Sequence, residues 1–341
     1  MPPKRVVYLF GAGATIGEWQ FAAGETGEKL SLRSISESAI TKAKEVKDFQ
    51  GMLLDVPPDD IKDIELYISL LESIHTKKYS DLASLLRSLF CKSVQDNLLY
   101  NGKPITPNLT MALLEMHMAI CEDEILTGAI SLNYDNLLDR AFNEVHGGLN
   151  YGIKCKCEKA NYAINDKKPL LIKLHGSFNW KKGFHSIHID EEQAESAEQA
   201  EMLWIPPSIE KERDTYPYNL LWGKASEILD CEILRIIGCK LSQNDLGLIS
   251  LLFNTQLESV GVYNIELIND HQSGMDIRER NGFLKNVFIL GELENCKDLI
   301  DSPPVNTYES WLRSKLAIHR GRGVEFDKYP HINLLMGEIR K

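Results

Sequence analysis

The sequence predicts an α/β protein: a mostly parallel sheet flanked by helices, with a helical subdomain inserted after the first strand–helix unit. Three observations carry this expectation. Short, continuous apolar runs recur along the chain, as strands covered on both faces require. The first four of them lead directly into polar or glycine-containing turns, the places where open parallel sheets bind ligands. A long interval with helical rather than strand periodicity separates the first run from the second.

Taken in order, the first strand spans residues 6–10 and ends at Gly11-Ala12-Gly13. Lys4 and Arg5 ahead of this run imitate a secretory leader, but the run breaks at Gly11, Gly13 and Gly17, so it reads as strand, turn and helix. Residues 18–128 follow, too many for a simple crossover, with helical spacing over 61–74, 82–99 and 109–120 and prolines at 57, 58, 104 and 107 between them. The second strand, 129–132, leads into Asn133-Tyr134-Asp135 and a helix over 136–145. The third, 170–174, leads into His175-Gly176-Ser177, and the fourth, 233–237, into Gly238-Cys239-Lys240. A fifth is expected over 263–268 and a sixth over 287–290. Residues 190–202, rich in Glu, Gln and Ala, read as a solvated loop, and 308–318 as a helix ahead of the basic His319-Arg320-Gly321-Arg322. The expected division is a catalytic domain over 1–295, with its helical insertion at about 25–125, and a C-terminal helical extension over 296–341.

Composition narrows the class. The chain has 341 residues, 43% of them hydrophobic and 26% charged, enough apolar side chain for a sizeable core. With 38 Lys+Arg against 49 Asp+Glu the formal charge is -11, which excludes a diffuse basic footprint, so no direct binding of duplex DNA is expected. Seven scattered cysteines, an odd number, fit a reducing cytoplasm. No uninterrupted apolar stretch reaches membrane-spanning length, so no membrane partner is expected.

The turns hold the candidate chemistry. A strand feeding closely spaced glycines and a helix start lets backbone approach a phosphate, beside unpaired amides and the positive end of the helix dipole. The spacing here, Gly11-x-Gly13-x-x-x-Gly17, is one residue longer than the dehydrogenase fingerprint, and no strand-end acid follows about 20 positions on, which demotes hydride transfer. Asn133 and Asp135 lie where a helix cap would also place them. His175 alone is equally compatible with a structural imidazole.

As a set these turns are more specific. In the order Gly11-Ala12-Gly13-Ala14-Thr15, Asn133-Tyr134-Asp135, His175-Gly176, Gly238-Cys239-Lys240-Leu241 and Ile265-Glu266-Leu267-Ile268-Asn269, the sequence resembles the sirtuin superfamily, more closely its bacterial sirtuin-like branch. The resemblance spans about residues 6–269. It implies a Rossmann-like sheet with NAD, as substrate, across its carboxyl edge. The glycine turn, with Gly11, Ala12, Gly13 and Thr15, would hold the phosphates. Asn133 would orient the ribose and a water, Asp135 would support the nicotinamide pocket, and His175 would contact the ribose hydroxyls. Gly238, Cys239 and Asn269 would cradle the adenosine half.

Two departures steer the activity. Deacylase sirtuins carry a zinc module of two C-x-x-C pairs after the histidine, whereas this chain has only Cys155-Lys156-Cys157, ahead of it, with Cys231 and Cys239 as distant helpers, so no zinc is expected. Gly17-Glu18-Trp19-Gln20-Phe21 replaces the G-I-P-D-F-R run of that family. Both weigh toward an NAD+ glycohydrolase with catalytic Asn133, His175 and Asp135, giving ADP-ribose and nicotinamide. The branch is associated with antiphage defence and abortive infection by NAD depletion. It implies a homo-oligomer and an activating partner such as a HerA-type ATPase or a nucleic-acid-guided protein. The alternatives are an NAD-dependent protein deacylase or ADP-ribosyltransferase, and a non-catalytic NAD or ADP-ribose binding module.

Overall fold

The computed structural model describes residues 2–23, 32–47, 64–74, 76–157, 164–183, 186–189, 202–204, 215–239, 241, 245–252, 255, 257, 259–263 and 308–337. Five parallel strands form the central sheet: β1 (Lys4–Phe10), β4 (Glu124–Ser131), β6 (Leu170–Lys173), β10 (Ile233–Ile237) and β11 (Ser259–Tyr263), in the order β11-β10-β1-β4-β6. The run from Val6 to Phe10 is continuously apolar because β1 is central and covered on both faces, each of its five residues being at most 1% exposed. This is the Rossmann-like, helix-flanked parallel sheet expected.

Register aligns the strand ends. Phe10 lies opposite both Ser131 and Ile237, Ser131 opposite Lys173, and Ile237 opposite Tyr263. The ladder runs on into the turns, with Gly11 N donating to Ile237 O at 2.9 Å, Leu132 N to Phe10 O at 3.0 Å and Leu174 N to Ser131 O at 3.0 Å. The four turns therefore emerge together on one edge of the sheet.

The helices are α1 (Ala12–Ala23), α2 (Leu32–Lys44), α3 (Ile64–Ser73), α4 (Lys77–Asn97), α5 (Asn108–Ala119), α6 (Leu137–His146), α7 (Tyr218–Ile228), α8 (Leu246–Leu252), α9 (Tyr308–Gly321) and α10 (Pro330–Leu335). Between α4 and α5 a two-residue hairpin pairs β2 (Leu99–Tyr100) with β3 (Lys103–Pro104). Helices α2, α3 and α4 share a core of their own, which closes on Tyr134 and Phe178.

Several expectations shift. Helix α5 falls inside the insertion drawn at about 25–125, yet Leu109, Met111, Leu113 and Leu114 belong to the main core. It is buried nearly all round, from Leu109 to His117, which only a helix packed within the protein tolerates. Beyond the expected boundary at 295/296, Tyr308, Trp311, Leu312 and Leu316 of α9 pack into that same core. The fifth strand is described over Ser259–Tyr263, ahead of the 263–268 run in which it was expected. Pairing of Ser259 with Ile233 sets that register. Residues 264–268, the sixth run at 287–290 and Asn269 lie outside the described residues. Strand β4 begins at Glu124 rather than 129, a start hidden in the sequence by Glu124 and Thr127.

A second sheet was not foreseen. Its four strands are β5 (Cys155–Cys157), β7 (Gly176–Lys182), β8 (Ile187–Ile189) and β9 (Met202–Trp204), in the order β5-β8-β7-β9. Met202, expected in the low-complexity loop, opens β9; residues 190–201 lie outside the described residues. Among the described residues no helix is long and apolar enough to cross a membrane.

Candidate functional site

The glycines of the first turn are used for close approach to a neighbouring turn. A Cβ on Gly13 would lie 2.8 Å from the Cα of Gly238, and one on Gly11 2.7 Å from the Cα of Cys239. Gly238, at φ +60°, has the Ala14 nitrogen 2.1 Å from where its Cβ would sit. The turns after β1 and β10 thus interlock, and Gly13 N donates to Gly238 O at 2.8 Å. That amide, expected to face phosphate, is already paired.

The Asn133 turn is tied to the first by side chains. Asn133 Nδ2 donates to Gly11 O and to Thr15 Oγ1, both at 3.0 Å, and Thr15 Oγ1 donates to Asp135 Oδ2 at 2.7 Å. The other carboxylate oxygen accepts Leu137 N at 3.0 Å, capping α6 as the sequence allows. Asn133 N donates to Ser131 Oγ at 3.1 Å. Both residues are buried, so this relay holds the amide in one orientation.

His175 joins from the turn between β6 and β7. Its Nδ1 lies 3.2 Å from Leu132 O, the residue just before Asn133. A carbonyl only accepts, so Nδ1 carries a proton in this hydrogen bond. Nε2 lies 3.5 Å from Asp245 Oδ2, and both side chains are under 10% exposed. Asp245 precedes α8 and accepts Leu248 N at 3.2 Å on its other oxygen. The ring of Tyr134 stands 6.1 Å from the imidazole and stacks on Phe178 at 5.3 Å, so the separate helical core abuts the turns at this point.

A buried lysine supports the arrangement from beneath. Lys173 Nζ donates to Asp135 O at 2.5 Å, Ser177 Oγ at 2.6 Å and Asp139 Oδ2 at 2.8 Å, and both Lys173 and Asp139 side chains are 0% exposed. Ser177 Oγ donates to Tyr134 O at 3.0 Å, and Tyr151 OH donates to the second oxygen of Asp139. Three donors for three acceptors is the condition under which a buried ammonium is tolerated.

Of the residues expected at the site, Gly11, Asn133, Asp135, His175, Gly238 and Cys239 belong to turns that meet on one edge, and Ala12, Gly13 and Thr15 lie in the first turn of α1 beside them. Lys173 and Asp245 were not singled out. Lys173 was legible as a charge inside an apolar strand run. Asp245 carried no signal, because its link to His175 crosses 70 residues of chain.

For a metal, the described residues bring together His117, Cys121 and Glu124, with ligand atoms within 4.8 Å of one another. Arg235 claims the carboxylate from two sides, NH1 to Oε2 at 2.7 Å and NH2 to Oε1 at 2.6 Å. Arg235 also donates to Tyr8 OH at 2.8 Å, and the phenol is hydrogen-bonded to His117 Nε2 at 2.8 Å. Burial alone would raise the Glu124 carboxyl, but the guanidinium outweighs it and holds it down to about 2. A divalent cation would have to displace a buried guanidinium, so this cluster reads as an ion-pair node. Cys155 and Cys157 lie on β5, while Cys231 and Cys239 flank opposite ends of β10. Those four do not form a tetrahedral set.

No protein-family model matches the chain, and no curated protein matches it. Among solved structures it is similar to one described as the structural basis for the mechanism and regulation of Sir2 enzymes, at 13% identity over 77% of this chain and 82% of that one, with a TM-score of 0.36. It is similar to a Sir2 homolog–NAD complex at 14% identity over 83% and 91%, TM-score 0.37. A structure on sirtuin substrate affinity matches at 14% identity over 85% and 94%, TM-score 0.34. The chain is an α/β protein with a Rossmann-like parallel sheet, as its own strand order and register establish.

Proposed function

We propose that the chain is an NAD+ glycohydrolase that cleaves NAD to ADP-ribose and nicotinamide. One observation carries this reading: an amide, a carboxylate and an imidazole from distant parts of the chain meet at the aligned carboxyl ends of β4 and β6, beside the glycine turn of β1. The motif order that resembles the bacterial sirtuin-like branch supports the choice of NAD.

In this reading the bond between ribose C1 and the pyridinium nitrogen breaks, its electron pair neutralising the nicotinamide. A water oxygen then bonds to C1. Its proton goes to His175 Nε2 in the neutral imidazole, whose Nδ1–H is held on Leu132 O. Asn133 orients the ribose and the water, and Asp135 holds Asn133 through Thr15. The net reaction is NAD+ and water to ADP-ribose, nicotinamide and a proton. A positioned base contributes about 10²–10⁴-fold in rate. As a defence effector acting by NAD depletion, the protein would work with a homo-oligomeric partner copy or a separate activating protein.

The test is incubation with NAD, alone and with candidate activators, and chromatographic identification of products. Free ADP-ribose formed without any acylated peptide, lost in Asn133→Ala and in His175→Ala while the fold persists by circular dichroism, is the expected result. Strict dependence on an acyl-lysine peptide overturns it in favour of a deacylase.

A further inference from the structure

We propose that Asp245 clamps His175 as an imidazolium, occupying the nitrogen the reaction needs, so that release of this carboxylate is the step that turns the site on. The inference rests on the reading of His175 as the base. The geometry behind it is local. Nδ1 faces the carbonyl of Leu132 at 3.2 Å, and Nε2 faces a carboxylate oxygen at 3.5 Å. Neither acceptor supplies a proton at neutral pH, so a lone pair on Nε2 aimed at Asp245 would be repelled within a buried pair. One proton therefore lies between them, and it sits on the imidazole, the stronger base of the two. An imidazolium has no lone pair with which to take a proton from water.

Among the described residues, the titratable groups of the neighbouring turns have partners of their own. Asp135 accepts from Thr15 and from Leu137 N, and Lys173 at the end of β6 is turned to Asp139, Ser177 and Asp135 O. Tyr134 presents its ring, 6.1 Å away. Asp245 comes from a different element and is held as the residue that caps α8. Because the turn after β6 carries the imidazole and Asp245 at the start of α8 carries the carboxylate, a partner or second copy that displaces Asp245 would free Nε2 without touching Asn133 or His175. Asp245 is thus a positioning residue, acting only through His175.

Asp245→Asn separates the two roles of this side chain, because asparagine caps a helix about as well as aspartate but carries no charge. Two readouts are needed. By 15N NMR at pH 7, both ring nitrogens of His175 should read protonated in the parent and only one in Asp245→Asn, the signal being identified by its loss in His175→Gln. A carboxylate within about 4–6 Å shifts such an equilibrium by about 1–3 pH units, so the neutral imidazole should be at least about tenfold more abundant in the variant below its midpoint. NAD turnover without activator should then rise, with the acid limb of its pH profile moved to lower pH.

Identical nitrogen shifts in parent and variant overturn the clamp, as does turnover that falls at every pH with an unmoved acid limb. If neither protein cleaves NAD while the nitrogen shifts change as stated, the glycohydrolase reading fails and the clamp stands.

Discussion

Replacing Lys173 with methionine tests whether the site is built on a buried ion pair. The substitution keeps the length of the side chain and removes an ammonium that serves three acceptors at 2.5–2.8 Å. Asp139, 0% exposed, keeps Tyr151 OH but loses its counter-ion. Breaking one half of a buried pair costs about 3–5 kcal/mol, because a charge stays behind without compensation. A typical domain has only about 5–15 kcal/mol in total, so Lys173→Met should be marginally folded. Replacing both members, Lys173→Met with Asp139→Leu, removes the stranded charge. What remains is the loss of Asp139 as acceptor for Tyr151 OH and of the Lys173 donor to Asp135 O and Ser177 Oγ, each worth about 1–3 kcal/mol. The double variant should therefore be more stable than either single one, with an interaction energy of about 3 kcal/mol or more in the cycle. Urea unfolding followed by tryptophan fluorescence and circular dichroism measures all four corners. A single variant within about 1 kcal/mol of the parent, or additive losses in the double, would refute the reasoning. The lysine also holds Asp135 O and, through Ser177, Tyr134 O. ADP-ribose should accordingly bind the single variant more weakly even under conditions where it remains folded.

Gly238→Ala places a methyl 2.1 Å from Ala14 N at a φ of +60°, so it should cost about 2–5 kcal/mol, seen as a lowered urea midpoint; an unchanged midpoint contradicts the interlocked turns. Thr15→Val keeps the volume but leaves Asp135 Oδ2 without its hydroxyl donor. A loss of about 1.5–3 kcal/mol in stability and a fall in NAD turnover are expected by denaturation and product assay. His117 should make the protein acid-labile. Burial first, then Arg235, pushes the imidazole down to about 3, so the unfolded chain binds a proton from about pH 6.5 downward that the folded chain refuses. Stability from this group is complete above pH 6.5 and falls, by at most about 1.4 kcal/mol per pH unit, as pH drops toward 3. His117→Gln, which keeps an acceptor for Tyr8, should flatten that slope by about one proton in pH-dependent urea titrations.

Glu18 shows how a short-range reading misses a long-range role. In sequence it looked like a departure from a family motif. In the fold it reaches α5, accepting Leu109 N at 3.0 Å and both Thr110 N and Thr110 Oγ1 at 2.7 Å. Burial pushes its carboxyl up to about 7 against those three donors. No local pattern announces such a cap, since it is completed by a residue 91 positions away.

The central strands were readable because burial on both faces demands unbroken apolar runs, a constraint each segment meets on its own. Residues 6–10 satisfy it outright, while 170–174 and 233–237 satisfy it but for one buried charge each, Lys173 and Arg235, which the fold pairs with Asp139 and Glu124. The second sheet was not readable. Its strands β5, β8 and β9 are three residues each, too short to show a period, and pairing rather than composition defines them.

By itself the sequence determined the α/β layering and the identity of the polar turns, since both follow from local periodicity and backbone freedom. Only the tertiary structure decided which turns interlock, that Lys173 anchors the Asn133 turn from below, and that Asp245 meets His175. Those are contacts between segments far apart in the chain. They depend on register and burial, which no single stretch of residues encodes.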